Sequence, residues 1–172
     1  MQEIEDAVVA NLNVLVLRPE LDNREARNIF DNILENKRTK DYTKIFCKSI
    51  SDPEVIFELV KGYSPNLIII DEAQFFGQST PLVLQKILDQ HGNDDNFSIV
   101  VAGLDTDFKR ELFGAMHALM AIADKVIKLK AVCNRCNKKK AIFTWRKGDS
   151  SLQVIVGNTE LYEARCRKCF HL

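Results

Sequence analysis

Short runs of apolar residues alternate along the chain with longer stretches in which the apolar residues recur at helical spacing. The runs are rich in β-branched residues and predict strands at residues 14–17, 44–50, 67–70, 98–102 and 126–131. The periodic stretches predict helices at residues 1–12, 25–43, 53–62, 81–91 and 115–125. Strands that alternate with helices at this pace indicate an α/β fold with a parallel, doubly wound sheet flanked by helices.

The run at residues 67–70 ends directly at two carboxylates, Asp71 and Glu72. Ligands of open α/β sheets bind outside the carboxyl ends of the strands. An acid at that position can hold Mg²⁺ on a nucleotide, and the residue after it can act as a base toward a substrate hydroxyl. A solvated acidic turn after an ordinary strand is the alternative interpretation.

Other polar and aromatic side chains are expected near the same edge of the sheet. After the strand at residues 14–17, Asp22 and Arg24 could form a surface ion pair, or Arg24 could bind a phosphate. Four phenylalanines also cluster around the predicted strand ends, at Phe75, Phe76, Phe108 and Phe113. Aromatic residues usually belong to the core, but two of them near a strand end could enclose a nucleobase.

The C-terminal part of the chain has a metal-binding pattern. Four of the five cysteines form two Cys-x-x-Cys pairs separated by 29 residues, namely Cys133, Cys136, Cys166 and Cys169. Two such pairs complete a tetrahedral Cys₄ site, which leaves no position open for water and therefore predicts a structural Zn²⁺. Two unrelated cysteine pairs are the alternative.

This pattern divides the chain into a nucleotide-binding domain at residues 1–131 and a small zinc ribbon with a long loop at residues 132–172. Between the cysteine pairs, residues 141–146 and 153–156 are predicted to form a hairpin. The fifth cysteine, Cys47, is interpreted as a small core residue.

Charge and hydropathy limit the partners. Lysine and arginine total 24, as do aspartate and glutamate, so no overall field attracts nucleic acid or a membrane surface. No apolar run approaches the roughly 18–20 residues of a transmembrane helix, and the acidic N-terminus does not resemble a signal peptide. Arg135 and the lysines at 138–140 form a basic run, interpreted as a solvated face of the ribbon, with phosphate contact as the alternative. The cysteine usage suits a reducing, cytoplasmic environment.

Taken together, the order of the motifs resembles the cellular-type (type II) thymidine kinase family. The matching segments are Asp22 and Arg24, Ile-Asp-Glu-Ala-Gln-Phe-Phe at 70–76, Val-Ala-Gly-Leu-Asp at 101–105 with Asp107 and Phe108, Leu-Lys-Ala-Val-Cys at 129–133, and the stretch 157–170, which contains the second cysteine pair. The resemblance covers essentially the whole chain. It implies a P-loop-kinase-like sheet and transfer of the ATP γ-phosphoryl group to the 5′-hydroxyl of thymidine.

The resemblance also implies roles for individual residues. Asp71 would bind Mg²⁺–ATP, Glu72 would be the catalytic base, and the nucleotide-binding set would be Asp71, Glu72, Ala73, Gln74, Asp22 and Arg24. The thymidine pocket would be formed by Phe75, Phe108, Thr144, Gln153, Val154, Ile155, Val156, Gly157 and Tyr162. In this set, residues 153–157 and Tyr162 form a lasso that closes over the nucleoside, and the zinc ribbon anchors both of its ends. The family also implies a homotetramer.

One expected motif does not occur in the sequence. The family begins with a strand and a Gly-x-x-x-x-Gly-Lys-[Ser/Thr] loop that binds the phosphates, whereas the first glycine here is Gly62. We therefore expect the first strand and the P-loop to be missing, and interpret the chain as a shortened form of a working kinase. The alternatives are a non-catalytic partner of an active homologue and, with less support, a zinc-ribbon protein that binds nucleic acid.

Overall fold

The structure is a computed structural model that describes residues 6–7, 9–20, 44–92, 94–148, 152–155 and 161–171. Its larger part is a parallel sheet of four strands in the order β2-β1-β3-β4. These strands are β1 at Val14–Pro19, β2 at Ile45–Ile50, β3 at Leu67–Ile70 and β4 at Ser98–Val101. The parallel sheet and its four strands confirm the predicted α/β class.

The two central strands form the core of the sheet. In β1, the four residues at 14–17 are each at most 1% exposed, which agrees with burial on both faces. Strand β3 pairs with β1 on one side and with β4 on the other, with Leu17 opposite Ile70 and Ile70 opposite Val101. The carboxyl ends of these three strands therefore lie side by side.

Helices that follow β2, β3 and β4 lie against the sheet. They are α1 at Val55–Tyr63, α2 at Thr80–His91 and α3 at Met116–Ile122. Their apolar faces contribute Ile56, Ile87 and Leu119 to one core cluster with residues of β1 and β3. No helix in the described part of the chain has the length and apolar character needed to cross a membrane.

The C-terminal part is built from two short antiparallel pairs. Strand β5 at Ala131–Val132 pairs with β6 at Lys139–Ala141, and β7 at Phe143–Arg146 pairs with β8 at Tyr162–Arg165. A single helical turn, α4 at Arg167–Phe170, follows β8. The cysteine pairs lie at the ends of these strands, as expected for a ribbon.

The pairing of β7 corrects the predicted hairpin. Residues 153–155 are not a strand, and the partner of β7 is β8 instead. Strand β8 ends one residue before Cys166, whose backbone N–H lies 3.4 Å from the Cys133 sulfur. Because the two cysteine pairs meet, the residues just before Cys166 are brought beside β7, and the loop is left outside the pairing.

Two further predictions were wrong. Of the strand predicted at residues 126–131, only Ala131 belongs to a strand, because Lys128 and Lys130 interrupt the apolar run and no strand of the described chain pairs with residues 126–130. Cys47 is exposed instead of buried, because β2 has a strand neighbour on one side only in the described sheet and most of its side chains face outward. The helix predicted at residues 25–43 lies outside the described residues.

Candidate functional site

The acidic segment lies where strands β1, β3 and β4 end. The backbone N–H of Asp71 donates to the carbonyl of Leu17 at 3.0 Å, and the N–H of Ala73 donates to the carbonyl of Ala102 at 2.9 Å. These bonds fasten the segment to the ends of β1 and β4. Asp71 and Glu72 are both partly exposed at this edge of the sheet.

Glu72 has an unusual backbone. Its φ of 53° and ψ of 41° place it in the left-handed region, which a residue other than glycine rarely adopts. The Glu72 N–H donates to Oδ1 of Asp71 at 3.0 Å, which supports the turn. Backbone strain of this kind concentrates at functional sites, where the surrounding structure enforces it.

The side chain of Gln74 orients the Glu72 carboxylate. Its Nε2 donates to Oε2 of Glu72 at 2.5 Å, and its Oε1 accepts from the backbone N–H of Leu104 at 3.0 Å. Gln74 is only 3% exposed. The amide is therefore a buried bridge from the loop after β4 to the carboxylate, and its orientation is fixed at both ends.

Two glycines make room for this bridge. A Cβ atom at Gly103 would lie 2.7 Å from Oε1 of Gln74, and a Cβ at Gly114 would lie 2.1 Å from the Gln74 carbonyl oxygen. Gly114 also has a φ of +53°, which side chains disfavour. The position of Gln74 thus depends on the absence of side chains at both residues.

The predicted aromatic residues have different environments. Phe75 is partly exposed and makes an edge-to-face contact with the buried Phe113, with ring centroids 5.5 Å apart. Phe76 is a core residue at 4% exposure. Phe108 is covered by the guanidinium of Arg146, whose Cζ lies 3.4 Å from the ring centroid. Phe75 and Phe108 are partly exposed, whereas Phe76 and Phe113 are buried.

The described loop at residues 152–155, which contains residues 153–155 of the predicted lasso, is held by side chains of both parts of the molecule. Gln153 donates through Nε2 to Oδ2 of Asp107 at 2.8 Å. Arg146 donates through Nη1 to the carbonyl of Leu152 at 2.5 Å, and the Tyr162 hydroxyl donates to the carbonyl of Ile155 at 2.8 Å. The loop therefore bridges the segment that follows β4 and the ribbon.

The remaining predicted residues are placed as follows. Thr144 is partly buried in β7, opposite Ala164 of β8, and Val154 is 41% exposed in the loop. Asp22, Arg24, Val156 and Gly157 lie outside the described residues.

The four cysteines form one cluster. The sulfurs of Cys133, Cys136, Cys166 and Cys169 all lie within 4.8 Å of one another, and those of Cys136 and Cys166 are 3.9 Å apart. All four are free thiols, and Cys133, Cys166 and Cys169 are buried. A tetrahedron with metal–sulfur bonds of about 2.3 Å has edges of about 3.8 Å. The cluster therefore has the dimensions of a metal site that could hold a structural ion.

The thiol pKa values diverge within this cluster. Burial raises the pKa of the Cys133 thiol, but hydrogen bonds from the backbone of Cys166, Cys136 and Arg135 outweigh it and lower the pKa to about 6. Burial and the neighbouring sulfurs raise the pKa of Cys169 to about 12. Four thiolates this close repel one another, so a bound cation is needed before all four can ionise together. This donor set fits a divalent metal.

Two residues of the site were missed in the sequence analysis. Asp107 was noted only as part of a motif, and Arg146 only as part of a predicted strand, yet both contact the loop at residues 152–155. A sequence signal existed for Asp107, since it directly precedes Phe108 in the loop after β4. No sequence signal pointed to Arg146, because the group that it contacts depends on the path of the loop.

Comparison with known proteins points to one family. The profile described as "Thymidine kinase" matches residues 1–170. A thymidine kinase of Metamycoplasma arthritidis is 35% identical over 169 residues, which cover 98% of this chain and 80% of that protein. Thymidine kinases of Mycoplasma mobile and Mycoplasma genitalium are 34% and 32% identical, over 93% and 92% of this chain and 73% and 70% of their own lengths.

Proposed function

The chain belongs to the thymidine kinase family, and on that premise we propose how its residues take part in phosphoryl transfer from ATP to thymidine. The observation that carries the proposal is the ordered pair of carboxylates at the end of β3. Asp71 and Glu72 follow the strand without a gap, and Glu72 is oriented by the buried amide of Gln74. An orienting contact of this kind is what a general base requires.

In this mechanism Glu72 accepts the proton of the thymidine 5′-hydroxyl as its oxygen forms a bond to the γ-phosphorus. The bond from that phosphorus to the β–γ bridging oxygen breaks, and ADP leaves. Asp71 supplies the carboxylate that would hold the Mg²⁺ of Mg²⁺–ATP, an ion that neutralises charge on the transferring group when bound. Carboxylate oxygens are preferred Mg²⁺ ligands, and Asp71 stands at the sheet edge where nucleotides bind. Glu72 and Asp71 thus have separate roles although they are neighbours.

The thymidine site lies between the end of the sheet and the loop at residues 152–155. Phe75 and Phe108 supply apolar surface for the base, and Thr144 lies on the ribbon strand that leads to the loop. The loop would bind the nucleoside largely through backbone groups, together with Val156 and Gly157 of the following segment. Positioning of the hydroxyl toward Glu72 is the main contribution of these residues to the rate.

The cysteine cluster would hold a structural Zn²⁺. Support for zinc comes from the four sulfur donors and their separations, since closed tetrahedral Cys₄ sites are typical of structural zinc. The ion would fasten the two ends of the ribbon, and no catalytic step passes through it.

The test compares the chain with its Glu72→Gln variant in a thymidine phosphorylation assay with Mg²⁺–ATP, after the metal content of both has been verified. The proposal expects equal thymidine binding and a loss of turnover of about 10²–10⁴-fold in the variant, the usual contribution of a general base. Equal turnover in both proteins would remove Glu72 from the mechanism.

One alternative is a non-catalytic partner of an active homologue. A folded, metal-loaded chain that binds thymidine without phosphorylating it, and that raises or lowers the activity of an added thymidine kinase, would support this role.

Assembly and location are also proposals. We expect a homotetramer, which light scattering after size-exclusion chromatography can test, and no nucleic-acid partner, which a filter-binding assay at low salt can test. The four free thiols of the cluster favour a cytoplasmic location, where thiols stay reduced.

A further inference from the structure

We propose that Asp107 and Arg146 are positioning residues that hold the loop at residues 152–155 in place before the nucleoside binds. Neither side chain is assigned to the thymidine site above. Both contact that loop, and both also contact or adjoin Phe108. The inference rests on the proposed function in one respect, since it takes the loop to be part of the thymidine site.

Asp107 uses both of its carboxylate oxygens. Oδ1 accepts hydrogen bonds from the backbone N–H groups of Lys109 and Glu111 at 2.8 and 3.0 Å. Oδ2 accepts the bond from Gln153 at 2.8 Å. The residue is 2% exposed. A buried carboxylate is stable only if its oxygens are satisfied, so the Gln153 bond is part of what permits Asp107 to be buried.

Arg146 makes the second connection. It is 6% exposed, its guanidinium covers the Phe108 ring at 3.4 Å, and it donates to the Leu152 carbonyl at 2.5 Å. A planar guanidinium can stack on an aromatic face and donate in its own plane at the same time, which lysine cannot do. Arg146 therefore couples the position of the loop to the position of a predicted base-contacting ring.

These contacts reduce the cost of ordering the loop when thymidine binds. Ordering of loop residues on binding reduces affinity, and a loop that is already held loses less conformational freedom. Asp107 and Arg146 should therefore strengthen thymidine binding without touching thymidine. Loss of either side chain should therefore raise the KM for the nucleoside and change kcat little.

A double-mutant cycle between residues 107 and 153 tests the proposal. Gln153→Glu replaces the donor by a second carboxylate and should break the contact. In Asp107→Asn, Oδ1 can still accept from the backbone, and the Gln153 amide can turn to accept from Asn, so a small effect is expected. The double variant pairs an Asn donor with a Glu acceptor, which restores the bond with its direction reversed.

Two measurements are made on each protein. Amide hydrogen exchange of residues 152–155 in the unliganded protein reports the order of the loop, and calorimetry reports the Kd for thymidine. For Gln153→Glu we expect faster exchange and a Kd raised by about tenfold, the change that one charge-assisted hydrogen bond supplies. The double variant should recover most of the slow amide exchange and most of the thymidine affinity. The matched control is Gln90→Glu on the exposed surface of α2, which should change neither.

The outcomes distinguish a failure of the role given to Asp107 from a failure of the proposed function. Exchange at residues 152–155 that is unchanged in Gln153→Glu, or not restored in the double variant, would overturn the role of Asp107. Faster exchange with no thymidine binding by any of the proteins, the unmodified chain included, would instead contradict the proposed function, while the role of Asp107 in ordering the loop would stand.

Discussion

The buried amide of Gln74 donates to the carboxylate of Glu72 across 2.5 Å and is itself held by the backbone of Leu104. This contact gives the proposed base a fixed orientation relative to the strand ends. It also explains why the segment after β3 contains a buried polar residue at a position where the chain turns sharply. The amide joins the loops that follow two neighbouring strands.

Replacement of Gln74 by Leu should therefore impair catalysis more than thymidine binding. The variant leaves the Glu72 carboxylate and the Leu104 N–H without their partner, so we expect a loss of stability of about 1–3 kcal/mol. In steady-state kinetics kcat should fall while KM for thymidine changes less, because orientation of the base acts on the chemical step. Gln90→Leu, an equal change on the exposed face of α2, is the control for a general effect on folding.

Gly114→Ala should be strongly destabilising. The added methyl group would lie 2.1 Å from the Gln74 carbonyl oxygen, and the φ of +53° is unfavourable for alanine. The unfavourable backbone conformation alone costs about 1–3 kcal/mol, and the clash adds to this cost.

Gly62→Ala should have the opposite effect on stability, because nothing lies within 4 Å of the new Cβ and Gly62 is in helix α1. It should stabilise the protein by about 0.5–1 kcal/mol. Urea unfolding of the two variants gives the comparison.

Removal of the metal should disorder the ribbon. The sole tryptophan, Trp145, lies in β7 with the Arg165 guanidinium 3.8 Å from its ring, so its fluorescence reports on this region. We expect Cys166→Ser to lower the metal content and to red-shift the Trp145 emission, as a strong chelator should do in the unmodified protein. Cys47→Ser, at an exposed cysteine outside the cluster, should retain the full metal content. An unchanged metal content in Cys166→Ser would contradict the assignment of the site.

Stability of the ribbon should also fall in acid through Glu163. A hydrogen bond from Arg165, with further help from Lys147, holds the pKa of Glu163 below its usual value despite burial, which acts in the opposite direction. Because the pKa is lowered on folding, the stabilising contribution is complete above the ordinary glutamate pKa of about 4.3 and is lost as the pH falls from there through the lowered value.

Thermal unfolding followed by Trp145 fluorescence between neutral pH and pH 3 measures this contribution. Acid also releases metal from cysteine sites, so the informative quantity is the difference between the unmodified protein and Glu163→Gln. The two melting temperatures should converge as the pH falls below about 4. A difference that is constant with pH would show that the ion pair does not contribute in this way.

The sequence predicted those features that depend on residues close together in the chain. Strands β1 and β3 were found because their apolar runs are buried on both faces, and the metal cluster because each cysteine pair is a local motif. The acidic turn after β3 could be predicted in the same way, because Asp71 and Glu72 directly follow the strand in sequence.

The errors arose where a partner lies far away in sequence. Strand β7 pairs with β8 instead of residues 153–156, because the meeting of the cysteine pairs decides which segment is adjacent. The contact of Asp107 with Gln153 spans 46 positions and has no local periodicity. The bridge made by Gln74 also could not be predicted, since it depends on the close approach of Gly103 and Gly114.

The meeting of the two cysteine pairs has a consequence for the variability of the loop between them. With a metal bound, the chain from Cys133 to Cys169 becomes a closed ring. The entropic cost of closing a ring rises only slowly with the number of residues in it. A doubling of the number of residues costs about 0.6 kcal/mol. Related chains could therefore lengthen or shorten this ring with little penalty, provided that the residues equivalent to Gln153 and Leu152 still reach their anchors on either side.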